Sequence, residues 1–345
     1  MHTNLSPIEE FHQGSCRLCP RMCGADRRGG LTGGSATAGA PATAGVSAMA
    51  SGFCGCGPDI MAARAALHPW EEPCISGVHG SGTIFFSGCT LRCCFCQNYQ
   101  ISQESFGKRL TVREFADICL RLQDQGAHNI NLVTATQYLP LILPALDSIK
   151  ARLTIPIVYN CGGYERVETI RVLKDYVDIW LPDLKYYSPT LSARYSRAAD
   201  YFEVASTAIR QMIAQTGAPV FHILEAAATA GHSHPDPVAS PAPLLMDRGV
   251  IIRHMVLPGQ KEDSIRLMRW IAGNLPKGQY YISLLSQYTP FYHSSDYPEL
   301  NRRITSYEYQ KVVDAALELG LEQGFMQEKS SAREEYTPPF NLEGL

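Results

Sequence analysis

Six short runs of the chain are apolar almost without interruption: GTIFFSG (82–88), NINLVT (129–134), IPIVYN (155–160), VDIWLPD (177–183), VIIRHMVLP (250–258) and YYISLLS (280–286). A strand with one face in water alternates apolar and polar residues, whereas a strand covered on both faces does not. The runs therefore predict buried parallel strands. Between them lie TVREFADICLRLQDQG, YLPLILPALDSIKAR, YERVETIRVLKDY, SARYSRAADYFEVASTAIRQMIAQTG and KEDSIRLMRWIAGNL, with apolar residues at roughly helical spacing. Strand and helix thus alternate through about six units, which predicts an α/β fold with one sheet wound in a single hand. An open doubly wound sheet and a partial or full barrel both satisfy this pattern, and both put their chemistry at the carboxyl ends of strands.

Two stretches break the alternation. Residues 29–52 hold only small and aliphatic types with no charge, and residues 226–243 are rich in proline and small residues; both predict flexible insertions. His232 and His234 in the second read as loop residues, because no third ligand lies near them in sequence. The expected organisation is a cysteine-rich extension over 1–28 and 53–79, a domain over 80–325, and a tail over 326–345.

Composition narrows the function classes. With 345 residues, 45% of them hydrophobic, the chain can bury a full core. A net charge of −3, with both signs scattered, gives no electrostatic footprint for nucleic acid or an anionic membrane. No run of about 18 apolar residues exists. The first residues are polar and acidic, so the expected location is cytoplasmic. In that reducing compartment, twelve cysteines point to metal or to chemistry more than to disulfides.

The cysteines are clustered. GCTLRCCFCQN follows the first predicted strand and carries Cys89, Cys93 and Cys96 as C-x3-C-x2-C, with Cys94 between two of them. Three thiolates on one loop can hold three corners of a cubane iron–sulfur cluster and leave one iron open. Structural zinc also takes thiolates, but usually from paired clips on separate turns.

This loop, with Phe95 just before its last cysteine, resembles the signature of the radical S-adenosylmethionine (SAM) enzymes. GTIFFSGCTLRCCFCQN, VDIWLPDLKYY and IIRHMVLPGQKED, in that order, resemble the glycyl-radical-enzyme activating branch, and within it the pyruvate formate-lyase activating enzyme-like proteins, over about residues 80 to 325. The resemblance implies a partial (β/α)6 barrel with a 4Fe-4S cluster on Cys89, Cys93 and Cys96, whose open iron chelates SAM, and with Phe95 near the adenine. It also implies reductive cleavage to a 5′-deoxyadenosyl radical that abstracts hydrogen from a substrate. That substrate is expected to be a glycine of a partner protein or a small molecule, and the reductant a flavodoxin or ferredoxin.

Asp183 and Lys185 match the D-x-K that the activating branch places at the methionine end of SAM, and Arg253 matches its fifth-strand arginine. Residues two apart on an extended end point the same way, so Asp183 and Lys185 can share a ligand; a surface ion pair is the alternative. An arginine in an apolar run is costly to bury unpaired, so Arg253 should face a polar cavity or a carboxylate, and His254 the opposite side. The branch's G-G-E motif is replaced by LVTATQYLP, where Thr134, Thr136 and Gln137 offer uncharged oxygens to SAM or cap the next helix. Gln287 and Tyr288 stand near the place of a family histidine. Gly162 and Gly163 allow close approach of backbone to a ligand, or a tight turn. Among the remaining thiols, Cys119 reads as helix packing, and Cys74 and Cys161 as the two able to reach the barrel mouth. No general acid or base can be assigned.

CRLCPRMC and FCGC bring Cys16, Cys19, Cys23 and Cys54 into a set able to hold one tetrahedral zinc or an auxiliary 4Fe-4S cluster. An alternative to the enzyme is a non-catalytic metal-binding or redox-sensing protein in which both cysteine sets are structural.

Overall fold

A computed structural model of the chain describes residues 5–28, 52–224, 244–327 and 337–345. The expected insertion over 226–243, with His232 and His234, and all but Gly52 of the one over 29–52 lie outside the described residues. The strands are β1 (Ile60–His68), β2 (Ser81–Phe86), β3 (Lys108–Leu110), β4 (Ile130–Val133), β5 (Ile157–Cys161), β6 (Ile179–Pro182), β7 (Val220–Ile223), β8 (Leu244–Met255), β9 (Tyr281–Leu285) and β10 (Gly324–Met326). They form one sheet in the order β10-β9-β8-β6-β5-β4-β2-β1-β3, with β7 paired to β8. From β2 through β10 the neighbours along that order are parallel, while β1 runs antiparallel to β2 and β3. The order does not close on itself, so the fold is a partial barrel.

All six predicted strands are present, and every residue of β2 and β5 is buried, as an unbroken apolar run requires. The helices are α1 (Pro7–His12), α2 (Pro73–Ser76), α3 (Tyr99–Ser102), α4 (Val112–Asp124), α5 (Leu139–Ile149), α6 (Val167–Val172), α7 (Pro189–Ser196), α8 (Tyr201–Thr216), α9 (Lys261–Asn274) and α10 (Ser306–Glu318). In α4, Phe115, Ile118, Cys119 and Leu122 recur at helical spacing and are all buried. Thr111 accepts from the Glu114 amide while Glu114 answers at the Thr111 amide, a capping box that fixes where α4 starts.

β1 was not foreseen as a strand. Its sequence, IMAARAALH, is alanine-rich and reads locally as helix; pairing with β2 over six positions overrides that propensity. The extension that carries it is therefore continuous with the main sheet. Residues 337–345 return to the same strand: the Leu342 amide donates to Ala63 O at 3.0 Å and the Ala65 amide to Glu343 O at 2.9 Å. Phe340 packs edge-on to Phe85 of β2, with ring centroids 5.5 Å apart. No helix among the described residues is long and apolar enough to cross a membrane.

Candidate cluster and cofactor site

Gly88 ends the run after β2 at φ +79°, and Cys89, Cys93 and Cys96 follow on the loop at the carboxyl end of that strand. Two of the sulfurs accept a hydrogen bond, Cys89 from the Leu91 amide at 3.4 Å and Cys93 from the Ser196 hydroxyl at 2.9 Å, and Cys96 shares one with the Ser102 hydroxyl at 3.2 Å. Such donors suit sulfur carrying negative charge, as a cluster ligand does. Burial pushes Cys89 up to about 12 and Cys96 up to about 11, and raises Cys93 as well. Burial thus opposes negative charge on all three sulfurs, which a bound metal would offset. Among the described residues no three His, Cys, Asp or Glu side chains form a site for a single metal ion. A cubane spreads its ligands over separate irons, so three sulfurs on one loop fit three of its corners. Cys94 faces away, into a separate cavity of about 260 Å³ beside Arg92, Arg194 and Arg197.

Beneath Cys93 and Cys96 lies a cavity of about 230 Å³ that also takes in Phe95, Asp183, Lys185 and Arg253. Positions far apart in sequence are thus brought to one wall. Lys185 pairs with Asp183. Burial works against the ammonium, but Asp183 and the Cys93 and Cys96 sulfurs together hold its pKa above the ordinary value. Lys185 thereby places a fixed positive charge beside the thiolates. Phe95 is locked edge-on between Tyr288 and Tyr186, with centroids 5.9 and 6.5 Å away.

Two acidic residues escaped the sequence reading. Glu71 and Glu72, from the turn before α2, both pair with Arg253, Glu72 at 2.9 Å. Arg253 thus faces the polar cavity, with its charge held by these carboxylates and raised by them against the cost of burial. Glu71 also accepts from Asn131 of β4 at 2.9 Å, which ties three parts of the barrel together. The adjacent acids in WEEPCIS were the only available signal. Gln287 lines the cavity too, held through its side chain by Gln327 at 3.1 Å.

Other expected residues stand elsewhere. Thr134 donates to Asn160 O at 3.0 Å and does not line the cavity, although Val133 does. Thr136 is buried away from it, between Tyr159 at 2.8 Å and the Glu165 carboxylate at 2.9 Å. Gln137 is spent on Ser87 O and Gly88 O, both at 3.1 Å. None of the three lines the cavity; hydrogen bonds hold the two hydroxyls and the Gln137 amide nitrogen, while the Gln137 amide oxygen is buried without a partner. Cys74 and Cys161 are buried and line no part of the cavity, contrary to expectation, because apolar neighbours close over them. Cys119 is core, as its helical position implies. His254 points to the opposite face from Arg253, between Leu184 O at 2.7 Å and Ser264 at 2.8 Å. Tyr288 donates to Leu300 O and serves as packing. Gly163, at φ +75°, leaves no room for a Cβ against Asp183 O, and the nearest atom to a Cβ on Gly162 would be Leu91 of the cysteine loop at 3.0 Å. The paired glycines thus serve backbone packing within the protein.

Cys16, Cys19, Cys23 and Cys54 lie together behind the cysteine loop, joined by Cys56, which the sequence reading had left out of the set. The Arg21 guanidinium donates to Thr90 O at 2.9 Å, and Arg92 donates to Phe53 O at 2.7 Å. The two cysteine-bearing regions are therefore clasped to one another.

An uncharacterized protein of Methanocaldococcus jannaschii, MJ0674, is 29% identical over 266 residues, spanning 74% of this chain and 67% of its own. Among solved structures, Streptococcus suis SuiB bound to precursor peptide SuiA aligns with a TM-score of 0.44 at 12% identity, covering 70% of this chain and 46% of SuiB. HydG, a maturase of the FeFe-hydrogenase, aligns at 0.45 and 14% identity, over 72% of this chain and 51% of that one. A domain of pyruvate-formate lyase-activating enzyme from Bacteroides vulgatus aligns at 0.33 and 14% identity, over 63% and 91%. The chain thus spans about half the length of SuiB and HydG. The Radical SAM superfamily model matches residues 83–271, more than half of the chain, from within β2 to within α9, and the chain belongs to that superfamily.

Proposed function

We propose that the protein is a hydrogen-abstracting enzyme whose catalytic 4Fe-4S cluster is held by Cys89, Cys93 and Cys96, with SAM in the cavity beneath them. When bound, cluster and SAM supply one-electron cleavage of the sulfonium to a 5′-deoxyadenosyl radical. The chain's own residues bind and orient. The three thiolates hold the cluster, Lys185 offsets their charge, Asp183 and Arg253 offer opposite charges to the amino-acid end of SAM, and Phe95 presents a ring to its adenine. The observation that carries this reading is a single cavity walled by Cys93, Cys96, Phe95, Asp183, Lys185 and Arg253.

The activating-branch resemblance favours a glycine of a partner enzyme as substrate, with a small molecule as the alternative, and a flavodoxin or ferredoxin as reductant. The N-terminal cysteines are assigned a metal centre, zinc or a second cluster. The deciding experiment is electron paramagnetic resonance of anaerobically purified, reduced protein with and without SAM. The signal should change when SAM is added, and Cys93→Ala should abolish that change while the fold persists. A cluster signal indifferent to SAM would instead favour a structural metal protein. For the substrate, deuterium from a candidate partner's labelled glycine should appear in 5′-deoxyadenosine; label found only with small molecules would overturn the glycyl assignment.

A further inference from the structure

Arg27 is a fixed positive charge with no carboxylate to answer it. Its side chain is 2% exposed, and its guanidinium donates to Gln137 O at 2.8 Å, Gly57 O at 3.3 Å and the Cys16 sulfur at 3.2 Å, while its Nε has no partner. No ion pair to Arg27 exists among the described residues. A guanidinium cannot shed its proton, and burying one without an anion is strongly unfavourable. The Phe11 ring faces it, with the centroid 5.2 Å from the guanidinium carbon, and the other groups that could carry an answering charge are sulfurs. The Cys23 and Cys54 sulfurs each stand 3.3 Å from where a Cβ on Gly52 would lie, with Arg27 Cδ 3.9 Å from the same point. Neutral thiols leave the charge unanswered, whereas a metal–thiolate centre supplies the anion.

The place of this centre narrows its chemistry. The Cys56 sulfur is 3.5 Å from Ser87 O, and Tyr138 donates to both, at 3.3 and 3.0 Å. A Cβ on Gly88 would fall on the Cys56 sulfur, so the chain entering Cys89 must be glycine there. The nest and the catalytic loop therefore share one stretch of backbone. At the other end Cys23 is exposed, while Cys93 is buried.

Resting on the reading that Cys89, Cys93 and Cys96 hold the catalytic cluster, we propose that Cys16, Cys19, Cys23 and Cys54 ligate a second, fully closed 4Fe-4S cluster that relays electrons inward past Cys56. Four thiolates leave no iron open, so this centre binds no SAM and its chemistry is electron transfer. The balance is one electron: a reduced one-electron iron–sulfur carrier gives it to the outer cluster and is itself oxidised. The outer cluster then returns to its resting state as the inner one is reduced.

Iron and sulfide counts on the anaerobically reconstituted full chain test this. Wild type should hold about eight irons and about eight sulfides, and Cys19→Ala and Cys93→Ala about four each. If Cys19→Ala fails to fold, Cys23→Ser removes the exposed ligand with least loss of packing and should show the same halving. Wild type with about four irons plus one zinc, or full iron in Cys23→Ser, would overturn the proposal. Full iron in Cys93→Ala would sink the catalytic assignment instead. Reduced ferredoxin should reduce the inner cluster at least an order of magnitude more slowly in Cys23→Ser, with dithionite acting equally on both; equal rates from ferredoxin would refute the relay.

Discussion

Arg253 shows how one residue can be legible while its partners are not. A lone arginine in an apolar run announces a polar neighbour, but Glu72 lies 181 positions away and only the barrel brings the two together. Replacing Arg253 with Met would leave Glu71 and Glu72 buried and unpaired. The expected loss is about 3–5 kcal/mol in chemical denaturation. Two other buried groups tie stability to pH. Burial lifts Glu165 up to about 8 against an ordinary 4.5, so the folded state holds a proton that the unfolded chain releases. Stability should therefore fall as pH rises from about 4.5 to about 8, by up to about 1.4 kcal/mol per unit, and Glu165→Gln should flatten that slope. Burial lowers His254 to about 4 from 6.5, so its contribution is present above 6.5 and lost as pH falls toward 4. Denaturation midpoints across pH for wild type and the two single variants, Glu165→Gln and His254→Gln, would separate the slopes.

Elements differ in how far sequence reveals them. β2, β4, β5, β6, β8 and β9 were readable because strands covered on both faces have unbroken apolar runs, and α4 because its period and capping box agree. β1 was not, since alanines carry no strand signal until β2 and β3 flank them. The turn after β5 is set by space: Gly163 at φ +75° lies against Asp183 O. Gly163→Ala should cost about 1–3 kcal/mol in strain and push the end of β6 outward. That shift should weaken SAM binding, read by titration, because Asp183 and Lys185 ride on the displaced backbone.

For the molecule as a whole, the C-terminal segment decides how the sheet ends. Its backbone pairs with β1, Phe340 covers Phe85, and Thr337 and Pro338 stand on the cavity wall. Deleting residues 337–345 should remove two backbone hydrogen bonds to β1, the Phe340–Phe85 contact, the Arg64–Glu343 ion pair and the Arg121 bond to Gly344 O, for a loss of about 2–4 kcal/mol. The bared edge should also make the protein self-associate, which light scattering during thermal unfolding would detect.

Sequence by itself determined the alternation of strands and helices, the cysteine loop after the first parallel strand, and the charged residues that close β6 and interrupt β8. These are local properties: period, spacing and a costly residue in an apolar run can be read without knowing what lies opposite. Tertiary structure alone decided that Thr136 and Gln137 lie outside the cavity, that Glu71 lines it while Glu72 pairs with Arg253, and that the N-terminal thiols sit behind the cysteine loop around Arg27. Each depends on which distant segment supplies a donor, a charge or a sulfur, and burial makes such pairings obligatory only after the chain has brought them together.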